Sequence, residues 1–582
     1  MKNASLALLL LAGCAADGPV AEKKEPADLI IYHARIITVD LHSTIAEAIA
    51  VKDGRIVELG PDEEVLKRMG PRTKAIDAEG RAVLPGLFDS HVHTVDAATS
   101  ELGAPLPEFR SLKDVSEFIK AKAASTPQGQ WIVVPYAFPT RLKEARFPTR
   151  AELDALAPNH PVLYHAGPSG VANSKALQMA GITRDTASPP FGVVVKDPAT
   201  GEPTGMLRGT SATGLLKAPS VGATGTAAQK RAAVKKVLAL YNAEGITSIA
   251  DRDAGPEELD TYLDLEKSGE LTVRVNVARN FSPRGTREEV MKRLDDLPRA
   301  DKRGGPTGAG TDWVRVGPIK LYMDGGMLNG SAYMREPWPK GEAYQIVEDG
   351  YRGLLFVEPR QLEMVLEEAA KRGWQMTAHT AGEGAMDTLL DAYEAVDKKV
   401  PIGERRFCIT HANFPSQRNL ERCKRLGVMA DVQPAWLWKD GTTLLNVLGD
   451  ARMRWFQPYK TWMQYTIIGG GSDHMIRSDS IRATNPWNPW LAMWCTVTRL
   501  TEGGKVLFPE ERLTRDQAIR LYTINNAVLT HEDEQKGSLE VGKLADLILV
   551  DRDPLNCPVN DLLDTSVLMT VVGGKIVYSA EK

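Results

Sequence analysis

The run L-P-G-L-F-D-S-H-V-H, from Leu84 to His93, predicts the start of a parallel barrel and of a metal site. Pro85 and Gly86 interrupt the chain, an apolar strand follows, and His91 and His93 end it. Side chains two residues apart on a strand share one face, so the two imidazoles are placed to bind one ion. An H-x-H pair is common by chance, but its position at the end of an apolar strand favours a functional role.

Four further polar residues occur where strand-like runs end. They are Lys320 in V-G-P-I-K-L-Y, His379 in Q-M-T-A-H, His411 in F-C-I-T-H and Asp473 in I-I-G-G-G-S-D. About one βα unit of roughly 30 residues separates His379 from His411, and about two units separate His411 from Asp473. The spacing therefore predicts an α/β fold, a (β/α)₈ TIM barrel, in which these residues end strands 4, 5, 6 and 8 and His91 belongs to strand 1.

Two long segments remain between the predicted barrel strands. Runs beginning at Thr247 and Thr272 supply strands 2 and 3, so residues 98–225 form an insertion between strands 1 and 2. Within it, the segment from Gly192 to Arg208 predicts a β-hairpin. A second long loop runs from Asp324 to Gly353. Both should cover the end of the barrel where the carboxyl ends of the strands meet, which is where such barrels carry their chemistry. We call this end the mouth.

The two chain ends share a texture of short alternating strands. Residues 28–84 contain a hairpin signal at Asp53-Gly54, and residues 536–582 contain another at Gly573-Gly574. Neither half is long enough to bury a core alone. We therefore expect one small composite β-sandwich domain built from both ends, beside a barrel domain over residues 85–535.

The amino terminus resembles a bacterial lipoprotein leader. Residues 1–13 hold a short apolar run that ends in L-A-G before Cys14, and such a run is too short to span a bilayer. This predicts a signal peptide over 1–13, a lipidated Cys14, a tether over 14–27 and a cell-envelope location, outer membrane or periplasmic face in a Gram-negative cell. A plain secretory leader with an incidental cysteine is the alternative. No other segment predicts a membrane span.

The composition restricts the classes of molecule that the protein is expected to bind. The net charge of −4 over 582 residues offers no basic excess to neutralise phosphates, which argues against nucleic acid. The remaining four cysteines show no paired spacing, so they are expected to be small buried hydrophobic residues. A small-molecule substrate is the expected partner, and a homodimer is one option for the oligomeric state, which the sequence leaves open.

Imidazoles and carboxylates bind zinc-like divalent ions, which turn water into a nucleophile at neutral pH. Taken singly, His379 and His411 are more often core or surface residues, and Asp473 is more often a turn residue. Their common register with the barrel favours the ligand hypothesis. Asp473 would bind a metal and act as the catalytic base, taking a proton from water and delivering it to the leaving group. Two other histidines, His165 and His474, are candidates to line the pocket.

Lys320 and the tryptophans each have two interpretations. A lysine at a strand end is usually solvated or paired with an acid, but burial beside cations lowers a lysine pKa. A neutral Lys320 could capture CO₂ as a carbamate and bridge two metals. Four tryptophans suggest an aromatic pocket wall, although loop tryptophans are as often simple packing: Trp436, Trp438, Trp487 and Trp490.

From about residue 28 onward the chain resembles the amidohydrolase superfamily, specifically the branch called amidohydrolase family 3, or YtcJ-like. Beyond the run at Leu84–His93, the matching motifs include A-N-S-K-A-L, I-K-L-Y-M-D-G-G, A-H-T-A-G-E-G-A-M-D and G-S-L-E-V-G-K-L-A-D-L-I-L-V-D. The resemblance implies two divalent ions, zinc first and manganese or iron as alternatives. His91 and His93 would bind one ion, His379 and His411 the other, and carboxylated Lys320 would bridge them.

The chain departs from the family pattern at three places. Asp-Gly-His before the Asn-Ser run is replaced by Gly167-Pro168-Ser169-Gly170, the Gly-Asp after His379 is Gly382-Glu383, and the acid before His411 is Thr410. None of these removes an expected metal ligand. The first lies in loops that would contact the substrate.

These observations predict a metal-dependent amidohydrolase of non-peptide C–N bonds, such as amides, formamides or cyclic amides. A metal-bridging hydroxide would attack, with Asp473 as general base. Ester or lactone hydrolysis and isomerisation on the same site are alternatives, because a fold alone does not fix a reaction. A lipid-anchored binding protein with a vestigial metal site is the alternative from another class.

Overall fold

The computed structural model describes residues 24–103, 105–219, 225–300 and 306–580. At its centre lies a sheet of eight parallel strands, arranged in the order in which they occur along the chain. The strands are Leu87–Val92, Ile246–Ala254, Arg274–Asn280, Val314–Tyr322, Met376–Thr380, Cys408–His411, Met429–Val432 and Ile468–Gly470. The predicted strand order is confirmed, with Lys320, His379 and His411 on strands 4, 5 and 6 and Asp473 just after strand 8.

Strand 8 meets strand 1 through two backbone hydrogen bonds at the mouth. The amide of Asp473 donates to the carbonyl of His91 at 2.7 Å, and the amide of His93 donates to the carbonyl of His474 at 2.7 Å. The glycine run before Asp473 permits this approach, because a Cβ on Gly471 would lie 2.7 Å from the Cβ of His91. The closure brings His91, His93 and Asp473 into one place.

Helices connect the strands and cover the outside of the barrel. The helix Ala227–Ala243 is capped reciprocally by Thr226 and Gln229, and it buries Val234, Val237, Leu238 and Tyr241 as one stripe. A second capping box, formed by Thr514 and Gln517, begins the helix Arg515–Leu521. The other connecting helices are Pro256–Lys267, Arg287–Ala300, Pro359–Lys371, Glu383–Asp397, Gln417–Leu426, Pro434–Met453 and Tyr459–Met463, followed after strand 8 by Pro489–Thr498, Arg515–Leu521 and Ile524–Leu529.

The segment between strands 1 and 2 contains its own five-stranded sheet. Its strands are Ile132–Val134, Val162–Ala166, Ser169–Ala172, Val193–Lys196 and Pro203–Arg208. The last two pair antiparallel, which confirms the predicted hairpin. The helices of this segment are Thr94–Thr99, Leu112–Ser125, Arg150–Leu156, Ser174–Met179 and Thr210–Thr213.

Two further sheets bring the chain ends together. One holds Leu29–Tyr32, Ala48–Lys52, Arg55–Gly60 and Lys74–Asp77, with the short helix Asp62–Val65 beside it. The other joins Arg35–Ile37, Ile45–Ala46 and Ala82–Pro85 to the carboxyl-terminal strands Leu547–Val550, Val567–Val572 and Lys575–Ser579. Both predicted hairpins form. One apolar cluster contains residues of both sheets, including Ile49 and Leu547. The sandwich arrangement itself stays a prediction, as do the domain boundaries.

The predicted signal peptide, Cys14 and nearly all of the tether lie outside the described residues. Among the described helices, none is both long and apolar enough to cross a membrane. Cys408, Cys423 and Cys495 are buried free thiols, as expected, and Cys557 is partly exposed.

Candidate metal centre at the mouth of the barrel

His91, His93 and Asp473 converge at the seam between strands 1 and 8. The Oδ1 atom of Asp473 lies 3.3 Å from Nε2 of His91 and 3.2 Å from Nε2 of His93. One ligand atom from each residue falls within 4.8 Å of the others, a spacing that suits a single cation. This trio includes both members of the H-x-H pair and the residue predicted to act as base.

His379 and His411 complete the ring of imidazoles. Their ring centres are 4.5 Å apart, and the His411 ring stacks on His91 at 4.8 Å. All four predicted histidines therefore form one continuous group. The division of this group between two ions stays a prediction.

Lys320 lines the same cavity as the four histidines, and its side chain is almost completely buried. Its Nζ atom is 5.3 Å from the centre of the Tyr322 ring, which in turn lies 5.5 Å from the His379 ring. Burial lowers the pKa of Lys320, against the opposing charges of Asp431 and Asp253. A lowered pKa favours the neutral amine that carboxylation requires.

Strand 7 was expected from the spacing, but two residues that hold the imidazoles were not predicted: Asp431 on the strand and Gln433 directly after it. Asp431 Oδ1 lies 3.2 Å from Nδ1 of His91 and accepts a hydrogen bond from Nε2 of Gln433 at 2.8 Å. The Oε1 atom of Gln433 is 2.8 Å from Nδ1 of His411. One carboxylate and one amide thus fix the outer nitrogens of two histidines and direct their Nε2 atoms inward.

Additional groups hold the Asp431 carboxylate. Its Oδ2 atom accepts a hydrogen bond from Thr410 at 3.2 Å and lies 3.3 Å from Nη2 of Arg252. Thr410 is one of the departures from the family pattern, and its hydroxyl donates this hydrogen bond to Asp431. The sequence signal for these two residues was D-V-Q, two polar residues two positions apart at the end of an apolar run.

Asp473 is also held from the other side of the cavity. Nδ2 of Asn485 donates to the main-chain oxygen of Asp473 at 2.6 Å and to its Oδ2 atom at 3.2 Å. Oδ1 of Asn485 accepts from Nη2 of Arg141 at 3.1 Å, and Arg141 forks onto Asp440 at 3.0 Å through two nitrogens. Arg141 belongs to the insertion, so the insertion and the expected base share one polar network.

The donor set suits a divalent cation. Nε2 of His91 is buried and has no hydrogen-bond partner among the described residues. Burial lowers the pKa of His91 and of His411, and lowers the pKa of His379 to about 3, so these imidazoles are neutral donors at pH 7. Burial acts on His93 in the same direction, but the hydrogen bond and charge of Asp473 outweigh it and raise that pKa to about 9. A carboxylate shared by imidazoles supplies the charge that a cation would neutralise.

Two residues of this site have a strained backbone. His411 has φ +74° and Asp473 has φ +57°, conformations that non-glycine residues rarely adopt. Such strain persists where the surrounding contacts determine the conformation. Here the hydrogen bonds of Gln433 and Asn485 do so, because each acts on one of the two strained residues.

The site opens into a cavity of about 610 Å³. The insertion contributes Tyr136, Phe138 and His165 to its wall, and the loop after strand 4 contributes residues 324–329, which confirms that both segments lie over the mouth. His165 lines the cavity, and burial lowers its pKa to about 4. Its buried Nδ1 atom has no hydrogen-bond partner within the described part of the chain.

Several sequence candidates lie away from the cavity wall. His474 is buried in packing, with Nδ1 2.7 Å from the hydroxyl of Tyr241. Trp436 lines the cavity beside His411, but Trp438, Trp487 and Trp490 do not. Asp324 lines it too, yet its carboxylate accepts three backbone N–H bonds, from Tyr333, Ala381 and Gly382, and burial raises its pKa to about 8.

Comparison with known proteins places this geometry in a family. The chain is 29% identical over 560 residues to an N-substituted formamide deformylase of Arthrobacter pascens, covering 95% of this chain and 98% of that protein. It is 27% identical over 550 residues to the putative amidohydrolase YtcJ of Bacillus subtilis, covering 91% and 96%. An uncharacterized metal-dependent hydrolase from Pyrococcus horikoshii shares the fold, with a TM-score of 0.63, 22% identity and coverage of 91% and 99%. The sequence model of one protein family, Amidohydro_3 (amidohydrolase family), matches residues 74–578. The chain therefore belongs to the amidohydrolase family.

Proposed function

We propose that this protein hydrolyses amide bonds outside peptides: N-substituted formamides, other N-acyl amines or cyclic amides. The observation that carries the proposal is the placement of the Asp473 carboxylate within 3.3 Å of two imidazoles at the wall of the cavity. The likeness over nearly the whole chain to an N-substituted formamide deformylase supports this bond class.

The proposed cofactor is a pair of divalent ions, zinc first, with manganese or iron as alternatives. His91, His93, His379, His411, Lys320 as a carbamate, and Asp473 would hold them. When bound, such ions polarise a carbonyl oxygen and lower the pKa of water. The buried Nε2 of His91, which forms no hydrogen bond with the described residues, and the neutral state of three imidazoles support this assignment.

Asp473 moves the proton in the proposed reaction. Its carboxylate takes a proton from the attacking water as the new C–O bond forms, and returns that proton to the nitrogen as the C–N bond breaks. Asn485 orients the carboxylate through its 3.2 Å hydrogen bond to Oδ2. The apolar side chains of Phe138, Phe281 and Leu328 in the cavity wall limit the water that competes with the substrate.

A turnover screen tests the proposal. The protein, loaded with zinc, manganese or iron, is assayed against N-formyl amines, N-acyl amines and cyclic amides, with esters and lactones of matching shape beside them. Turnover of amides supports the proposal, and turnover of esters or lactones alone replaces it with the alternative reaction. Stoichiometric metal without turnover of any class supports the vestigial binding protein.

The Lys320 carbamate has a separate test. Lys320→Ala should lose one or both metals, and bicarbonate with a short carboxylic acid should restore part of the activity. Full metal content and activity in Lys320→Ala would contradict the bridging role.

We also propose that Cys14 is acylated and anchors the protein in the cell envelope. Cys14→Ser should then release the protein from the membrane fraction, and an unchanged distribution would contradict the anchor.

A further inference from the structure

Arg284 is a cation in the wall of the cavity that contains the candidate metal site. Its side chain lines the same cavity as the metal-site residues and is exposed to solvent. Within the described ranges, no carboxylate oxygen forms an ion pair with its guanidinium. Lys320 and Asp473 in the same wall belong to the metal centre, and the carboxylate of Asp324 is satisfied by three backbone amides.

A ring from the insertion supports the guanidinium. The Cζ atom of Arg284 lies 4.8 Å from the centre of the Phe191 ring. Phe191 adopts φ +60°, a left-handed conformation that costs free energy for an aromatic residue. An aromatic face under a guanidinium holds its plane while the donor edge stays free. The strained residue thus places a ring where it orients Arg284.

Hydrogen bonds on both sides hold the loop that carries Arg284. Arg293 donates to the carbonyl oxygens of Ser282, at 3.2 Å, and of Arg284. Nε2 of Gln361 donates to the carbonyl oxygens of Pro283, at 2.6 Å, and of Gly285, at 3.1 Å. Four consecutive carbonyls are therefore held by two side chains, so the position of Arg284 is built into the fold.

The loop also sets the distance from Arg284 to the reaction centre. The amide of Phe281 donates to the carbonyl of Lys320 at 3.2 Å, so the loop leaves strand 3 beside the expected bridging lysine. Three residues of extended chain span at most about 11 Å. Arg284 therefore lies within the reach of one small molecule that also contacts the metal centre.

We propose that Arg284 binds a carboxylate of the substrate, so that the substrate is an amide with an apolar body and one carboxylate. This inference rests on the proposed function and names its substrate class. One guanidinium balances one carboxylate charge, whereas a phosphate monoester carries close to two. Apolar side chains form much of the wall around it and match an apolar body: Phe138, Phe281, Leu328, Phe356 and Met475.

The test compares paired substrates that differ in one charge. N-formyl- and N-acetylphenylalanine, in both enantiomers, are assayed against the corresponding carboxamides with the metal-loaded enzyme. For the carboxylates, Arg284→Met should raise KM by roughly 10- to 100-fold, the range for a lost charge-assisted hydrogen bond. KM for the carboxamides should be the same in Arg284→Met as in the wild type. Phe191→Leu should raise KM for the carboxylates by about 2- to 5-fold through the lost ring support.

Arg360→Met serves as the matched control, because it removes the same charge from an exposed position outside the cavity wall. Arg360→Met should leave KM unchanged for both the carboxylates and the carboxamides. Equal effects of Arg284→Met on carboxylates and carboxamides, or no effect on either, overturn the inference. If the wild-type enzyme hydrolyses none of these compounds, that failure concerns the proposed function. Calorimetric titration with N-acetylphenylalanine then decides about Arg284, since equal dissociation constants for wild type and Arg284→Met would refute carboxylate binding.

Discussion

Two buried aspartates at opposite ends of the barrel have different surroundings. Asp546, at the end opposite the mouth, accepts from Nε of Arg274 at 2.6 Å, from its Nη2 at 2.9 Å and from the amide of Gly573 at 2.8 Å. Asp473, at the mouth, shares one oxygen between two imidazoles at 3.2 and 3.3 Å and faces the cavity. The first carboxylate is fully paired and joins the chain end to the barrel. The second keeps bonding capacity for a cation and a proton.

The comparison predicts its largest effect at Asp473. Asp473→Asn keeps the shape and removes the base, so kcat for amide hydrolysis should fall by about 10²- to 10⁴-fold. Steady-state kinetics with metal content measured on the same sample checks this. A kcat within a factor of about three of wild type, at full metal content, would remove Asp473 from the mechanism.

At the opposite end, stability should change and chemistry should not. Arg274→Met leaves Asp546 as a buried charge without its main partner, and the free energy of unfolding should fall by about 3–5 kcal/mol. Denaturant titration measures this, and kcat per folded molecule should match wild type. The double variant Arg274→Met with Asp546→Leu should recover most of the loss. If the double variant is as unstable as the single one, the pair does not account for the effect.

Low pH should lower the free energy of unfolding through His474, which follows Asp473 in the chain. Burial lowers the pKa of His474 to about 4, below the ordinary value of about 6.5. The unfolded chain therefore binds a proton first, and the free energy of unfolding falls as the pH drops from about 6.5 to about 4. Each pKa unit corresponds to about 1.4 kcal/mol. Denaturant titrations of wild type and His474→Gln should show a smaller pH slope in the variant, and equal slopes would contradict the assignment.

Asp431 should affect metal binding more than chemistry. Asp431→Asn weakens the acceptor for His91 Nδ1 and should lower metal affinity by about 10- to 100-fold. Competition with a chromogenic chelator measures it, and cobalt-loaded protein should show shifted visible bands. Thr377→Val is the matched control, because Thr377 contacts Thr410 at 2.7 Å in the same interior without touching an imidazole. An affinity loss of the same size in Thr377→Val would mean that any change in this interior perturbs the site.

The barrel register could be predicted because its signals are local. Each expected ligand ended an apolar run, and one βα unit has a nearly constant length, so counting placed His379, His411 and Asp473 correctly. Asp431 was missed because its role depends on a contact with His91, 340 positions away in the chain, and Gln433 was missed because it acts through Asp431 and His411. The tryptophans show the same limit, since Trp436 and Trp438 share one helix and Trp436 alone of the two lines the cavity.

The smallest expected effect concerns the network that joins the insertion to Asp473. Asn485→Ala removes the long hydrogen bond to the Asp473 carboxylate and the bond to its main-chain oxygen, so kcat should fall by about 2- to 10-fold with KM nearly unchanged. Arg141→Met acts one step further out, through Asn485, and should produce part of the same loss. In a double variant the two losses should not multiply, because both variants disrupt one chain of contacts. Multiplicative losses would show that Arg141 acts on the reaction by another route, such as the placement of the insertion over the mouth.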